Sequence, residues 1–326
     1  MSNLQDRIAA FRARPSIEKL TLKLRHRRNL ISQIVVYVLL IVVSYQFIYP
    51  LLRMLAMSVM SQSDIINPTV EWIPRSLSFS NLLVASRVMK VPRTLINSIW
   101  FACLLAFCQT LVSTLTGFAF ARFEFKFKNF WFFMMLLSFI MPVPLVLIPR
   151  VMMFVTIQQN TNMQMIGTVI PQVLLSLFGQ GIYSTILIMI FFRFFKMIPL
   201  TLDEAASIDG ATPFQVFYHI AIRMSLSTIL VVFLLSMVWN WNETYVTTTF
   251  LRNKIALLPT QLSAFDNIFD SVIQATSQPG QAGDMRINEA YKMSATFISV
   301  APLLILYAFV QKKFIEGIES TGITGE

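Results

Sequence analysis

Between two long apolar runs lies a polar stretch whose residue types and spacing can shape a small rigid element. From Ile198 it reads Ile-Pro-Leu-Thr-Leu-Asp-Glu-Ala-Ala-Ser-Ile-Asp-Gly-Ala-Thr-Pro-Phe-Gln-Val-Phe. Thr201 followed by Glu204 has the spacing of a capping box, in which the hydroxyl accepts a free backbone N–H and the carboxylate reaches back to the cap. Asp203 and Glu204 suit the positive end of a helix dipole, and Gly210 fits the left-handed position that ends a helix at little cost. The spacing predicts a short helix over 202–209. Thr212, Pro213 and Gln215 then repeat the start signal as N-cap, first helical residue and box partner. Helix, glycine turn, helix is the expectation, with Ala205, Ala206 and Ser207 offering a smooth face that permits close backbone approach. Such an element docks rather than catalyses. Any loop also needs capped helix ends, and alanine is the best helix former, so the residues alone leave both readings open.

A second set, Trp239, Asn240, Trp241, Asn242 and Glu243, closes another apolar run. Aromatic rings beside amides and a carboxylate are groups that recognise sugars, by ring stacking and by hydrogen bonds to hydroxyls. The alternative is structural: tryptophans form belts at membrane interfaces, and a buried asparagine can join two helices. Catalytic chemistry is not expected. None of the ten glycines is followed by lysine, so the G-x-x-x-x-G-K-[ST] phosphate loop is missing. His26 and His219 are not at metal-ligand spacing, and no nucleophile–base set is visible. Cys103 and Cys108 are five apart, off one helical face, and read as small packing residues.

The elements that must carry these groups are membrane helices. The chain has 326 residues, 56% hydrophobic and only 13% charged, with a mean hydropathy of +0.65, whereas soluble domains carry about 25% charged residues. The net charge of +10 does not point to nucleic acid. Arg7, Arg12, Arg14, Lys19, Lys23, Arg25, Arg27 and Arg28 crowd the first 30 positions, and an apolar run follows at once. That is a cytoplasmic flank under the positive-inside rule. The run over 30–60 exceeds the about 7–15 apolar residues of a cleaved signal peptide and has no small-residue cleavage pattern.

Six stretches are long enough to cross the roughly 30 Å hydrocarbon layer: 30–58, 95–121, 130–155, part of 166–195, 225–246 and 293–310. The fourth is too long for one straight span. Pro171, Gly179 and Gly181 are expected to break its first part, leaving the crossing to the second. The expected organisation is a basic cytoplasmic segment at 1–30, a first span at 31–60, and an external or interfacial segment at 61–94. A permease-like core at 95–313 contains the polar loop at about 198–223 and an external, partly flexible loop at about 248–292. A cytoplasmic tail at 314–326 completes it. Six spans place both termini on one side. The inside segments then hold 16 basic residues over 85 positions and the outside ones 9 over 96, with Arg150 counted outside and Arg53 within the first span.

The segment Glu204-Ala205-Ala206-Ser207-Ile208-Asp209-Gly210-Ala211 resembles the EAA loop of ABC importer permeases. Its Ile-Asp-Gly-Ala variant is similar to the carbohydrate-uptake type, specifically the maltose permease G-type subunit. Other pieces match in order: Asn97-Ser98, Ala119-Phe120-Ala121-Arg122, Met141-Pro142, Ile148-Pro149, Phe178-Gly179, Arg193-Phe194-Phe195, Ile198-Pro199, Trp241-Asn242-Glu243, then Met293, Ala295, Pro302, Gln311, Phe314 and Gly317. The resemblance covers the chain from about position 80 onward. It departs where the family has a Leu-Pro pair and often a second proline: here stand Ile222-Arg223 and Ser227, which predicts a more continuous run into the fifth span. The tail also departs from the family's ending.

The resemblance implies an all-α polytopic fold of about six transmembrane helices with a cytoplasmic helix-turn-helix coupling loop, in a bacterial-type plasma membrane. It implies a sugar or oligosaccharide importer driven by ATP. Glu204, Ala205, Ala206, Ser207, Asp209, Gly210 and Ala211 would meet a groove on the ATPase, with Glu204 as the polar anchor. The implied partners are a second permease subunit, two ATPase subunits and an extracellular or periplasmic solute-binding protein. No cofactor is expected on this chain; ATP and Mg would bind the ATPase. Trp239 to Glu243 stand as a candidate substrate path. The alternative is a self-sufficient secondary transporter or channel for a small solute. It predicts ionisable groups in mid-span, and the apolar stretches are nearly free of them away from their ends.

Overall fold

A computed structural model describes residues 16–276 and 288–320, with side chains over 32–272 and 288–312. The described residues are almost entirely helical; one isolated antiparallel bridge, Met60 to Leu77, is the sole strand-like pairing among them. The chain divides into two compact units, Met1–Leu77 and Ser78–Glu326.

The first unit is led by α1 (Ser16–Ser58). Its apolar part, Ser32–Ser58, is long enough to span a membrane, and nearly every residue over 34–49 is exposed. Such a surface is stable only against lipid. A short helix follows, α2 (Gln62–Ile66), capped by the Ser61 hydroxyl. Buried Asp64 accepts the amide N–H groups of Arg75 (3.1 Å) and Ser76 (3.4 Å), which ties down the chain after α2.

The second unit is built round α4 (Val91–Arg122), reached through α3 (Ser80–Met89). α4 packs against α7 (Ile170–Leu177), α8 (Ser184–Met197) and α12 (Leu226–Asn242). The α4–α8 crossing requires Gly117: a Cβ there would lie 2.5 Å from Phe191 Cβ and 3.0 Å from the Phe192 backbone N. Small residues at such crossings let membrane helices approach closely. One core cluster joins α3, α4 and α12 to α15 (Phe265–Thr276) and α16 (Glu289–Ser320) through Met89, Ala102, Trp241, Phe269 and Ala295. A second, at the other end, gathers Phe118, Phe191, Phe195, Ile198 and Phe217.

Three helices are long and apolar enough to cross a membrane singly, over Ser32–Ser58, Val91–Arg122 and Glu289–Lys312. Three further crossings exist if each of three bent helix pairs is one span. Here the structure corrects the straight spans expected. The stretch 130–155 is two helices, α5 (Lys128–Ile140) and α6 (Val143–Thr161), at 104°. Pro142 forces Met141 out of the helical region (ψ 126°), and Pro144 starts the next helix, where its missing N–H costs nothing. Pro171 likewise begins α7 rather than breaking a helix; the break comes at Gly179, φ +69°. α8, the second part of this stretch, has 14 residues and reaches membrane-spanning length only together with the helix over Leu200–Ile208 that follows it across a 70° bend.

The continuous entry into the fifth span is also overturned. After α10 (Pro213–Val216), a π-helical turn (Phe217–Ala221) and α11 (Ile222–Met224), the chain bends by 77° before α12. No proline is needed. Ser225 is buried at φ −95°, ψ 11°, and its hydroxyl donates to the Ile222 carbonyl at 3.2 Å. A serine bonding back to its own turn commonly bends a helix. The external stretch read as a loop holds α13 (Tyr245–Leu251), α14 (Leu258–Ser263) and α15; 277–287 lie outside the described residues, as do 321–326 of the tail. α16 continues as far as Ser320, so the tail begins helical.

Candidate coupling loop and membrane cavity

The polar loop folds as helix, glycine turn, helix. α9 (Leu200–Ile208) starts two residues before the expected 202 and ends one before 209. Pro199 is its N-cap residue, so Thr201 lies inside the helix and the Thr201–Glu204 capping box does not form. The proline decides this: Ile198 before it is held extended at ψ 127°, and the helix begins directly after. Gly210 has φ +83°. The Ala211 N–H donates to the Ala206 carbonyl at 2.9 Å across the turn, the closure that a left-handed residue permits. The second box is made as read: the Thr212 N–H donates to Gln215 Oε1 at 2.7 Å, and the Gln215 N–H to Thr212 Oγ1 at 3.4 Å.

The loop has an inner and an outer face. Ala206 and Ala211 pack inward on the cluster of Phe118, Phe195 and Phe217. Glu204, Ala205, Ser207, Asp209 and Gly210 are exposed. Ile208 and Phe214, which the sequence reading did not single out, are 86% and 71% exposed on either side of the glycine. Arg122, at the end of α4, holds the loop from within. Its Nε lies 3.0 Å from Asp203 Oδ2, with side-chain exposures of 6% and 22%, and its Nη2 donates to the Ile198 carbonyl at 2.9 Å. One guanidinium thus grips both sides of the 70° bend between α8 and α9. Asp203, read only as a dipole partner, anchors the loop, whereas Glu204 is exposed.

The residues over 239–243 divide. Trp241 is 4% exposed in the core. Trp239 stacks edge-on with Tyr183, centroids 5.1 Å apart. Asn242 is exposed, its amide donating to the Val238 carbonyl. Asn240 is buried in a polar knot: its Nδ2 donates to Gln109 Oε1 at 3.0 Å, and the Ser236 hydroxyl makes a short bond to the same oxygen. Gln109 in turn reaches the Ile182 carbonyl. Glu243 ends α12 and accepts the Val246 N–H at 2.6 Å, starting α13. Only Asn240 and Glu243 of the five line the adjacent cavity of ≈ 130 Å³, with Ser138, Arg150, Gln172 and Ser184 among the other walls. Arg150, counted among the outside residues from the sequence, lies within α6 and lines this cavity. Cys103 and Cys108 are free thiols in α4, and no cluster among the described residues could hold a metal ion.

Bent helix pairs, a cavity at the end of α12 and a capped helix pair exposed beyond α8 make an all-helical unit with membrane-length helices. The chain belongs to the family of binding-protein-dependent transport system inner membrane components, whose model matches residues 113–319. It is similar to a probable ABC transporter permease of Pyrococcus horikoshii, 24% identical over 274 residues, covering 83% of this chain and 90% of that one. The arabinooligosaccharides transport system permease protein AraQ of Halalkalibacterium halodurans is 22% identical over 291 residues, covering 87% and 93%. The sn-glycerol-3-phosphate transport system permease protein UgpE of Brucella abortus is 24% identical over 300 residues, covering 90% and 96%. A chain from the crystal structure of a bacterial ABC transporter that imports the acidic polysaccharide alginate superposes with a TM-score of 0.62 at 18% identity, covering 88% and 98%.

Proposed function

We propose that this chain is one of two permease subunits of an importer for a sugar or oligosaccharide, of the type to which the maltose permease G-type subunit belongs. Two separate ATPase subunits drive it, and an external solute-binding protein supplies it. Both termini face the cytoplasm. The carbohydrate class is supported by the named cargoes of AraQ and of the alginate transporter. The drive is supported by one observation: a capped helix pair held rigidly from within by Arg122, with Ile208 and Phe214 left bare at its tip. Apolar side chains of that size remain exposed together where a partner covers them. Residues 204–211 are then the seat for a groove on the ATPase, with Ala205 and Gly210 permitting close approach. Closure of the ATPases pulls this element, and the bends at 198–200 and 225 turn that pull into a change of access.

The test is the reconstituted complex with both ATPases and the binding protein in proteoliposomes. In this chain a Cβ at Gly210 meets nothing within 4 Å, so steric damage there must come from the partner, beyond the roughly 1–2 kcal/mol of left-handed strain. Gly210→Asn, which tolerates that conformation, should keep most transport. Gly210→Val should leave the complex hydrolysing ATP while transport falls at least tenfold. Normal uptake by Gly210→Val would overturn the docking role, and uptake by the purified chain alone would favour a secondary transporter instead.

A further inference from the structure

The cavity holds a charged group that helix packing leaves largely unused. Arg150 donates from Nη2 to Gln180 Oε1 at 2.7 Å, and among the described residues no carboxylate pairs with it. Glu243 lines the same cavity, but its Oε1 is engaged at the start of α13. Gln180 therefore aims the guanidinium while the remaining N–H groups of the fork stay open. Behind two of the walls, Gln172 Oε1 and Ser184 Oγ are closed off from the cavity and buried without a partner, on residues 4% and 3% exposed. Buried polar atoms without partners cost free energy unless a ligand or water completes them. Arg150 is half-buried and its bond to Gln180 lies at the exposed side of the cavity; a guanidinium with no carboxylate on it there is free to bind an anion through its planar fork by two parallel hydrogen bonds.

Size and position narrow the occupant. The cavity of ≈ 130 Å³ exceeds the roughly 10–15 Å³ of the same measure that one water needs, so it admits a polar group larger than water. It is walled by the start of α8, and the 14 residues of that helix separate it from the coupling loop by about 21 Å. We propose that this cavity is a binding site within this subunit for the anionic group, carboxylate or phosphate, of a sugar or polyol substrate. Arg150 binds the charge and Gln180 positions Arg150. The proposal rests on the importer reading above.

The assembled complex in proteoliposomes, loaded with ATP, tests it with three labelled probes: digalacturonate, sn-glycerol 3-phosphate and neutral arabinobiose. Wild type should accumulate one of the two anions, and which one separates carboxylate from phosphate. Arg150→Gln, which keeps an amide donor for Gln180, should raise the half-saturating concentration for that anion at least tenfold while binding-protein-stimulated ATP hydrolysis persists. Where that variant fails to assemble, Arg150→Lys decides: it keeps the charge and loses the fork, and should still raise the half-saturating concentration severalfold. Anion uptake unchanged in an assembled variant overturns the proposal. Wild-type uptake of arabinobiose alone overturns it too, while leaving the importer reading intact. ATP-dependent uptake of none of the three by an assembled complex overturns the proposal, and an assembled complex whose ATP hydrolysis no binding protein stimulates overturns the importer reading.

Discussion

At the scale of single residues, neighbours in sequence do different work. Asp203 and Glu204 are both acidic and both near a helix start, yet Asp203 meets Arg122 and Glu204 points outward. Removing Arg122 would strip a partner from Asp203 and from the Ile198 carbonyl, a loss of about 1–3 kcal/mol for groups left unsatisfied in a partly buried site. Arg122→Met should therefore speed hydrogen exchange in α9 and lower transport relative to ATP hydrolysis. Glu204→Gln should leave α9 exchange unchanged, because exposed substitutions usually stay within about 0.5 kcal/mol, while weakening the hold on the ATPase. Equal exchange in the two variants would remove Arg122 from its positioning role. The Thr212–Gln215 box was legible because its partners are local. The Thr201–Glu204 box was not made, because Pro199 sets an earlier start. That Arg150 lines a cavity was not legible because it follows Pro149 near the end of an apolar run, and a linear count cannot see that α6 carries on to Thr161.

At the scale of elements, contacts between helices depend on residues that look unremarkable in sequence. Gly117 has no turn to make; its function is to let α4 meet α8. Gly117→Val should force the pair apart, at about 1–3 kcal/mol for overpacking, and lower the melting temperature of the detergent-solubilised complex. A melting temperature equal to wild type would show that the crossing is looser than the 2.5 Å approach requires. The existence of the long helices was plain from apolar length alone. Their bends were half legible: Pro142 announces one, whereas Ser225 does so only once its hydroxyl is seen on the Ile222 carbonyl.

At the scale of the molecule, composition points to lipid as the solvent, and charge asymmetry predicts an orientation. That orientation can be checked directly. With Cys103 and Cys108 lodged in α4, a cysteine in place of exposed Thr212 should react with an impermeant maleimide only in inside-out vesicles. One in place of exposed Asn253 should react only in intact cells or right-side-out vesicles. The reverse pattern would invert the topology. The sequence by itself determined the all-helical class, the capped glycine turn and the order of motifs, because each depends on periodicity or on hydrogen bonds within a few residues. Only the tertiary structure decided which polar side chains share a space. Asn240 and Gln109 are 131 positions apart and close a structural knot. Arg150, Gln172 and Ser184 come from three helices and line one cavity. The physical reason is that a side chain's direction after a bend is set by the helices packed against it, and those arrive from distant parts of the chain.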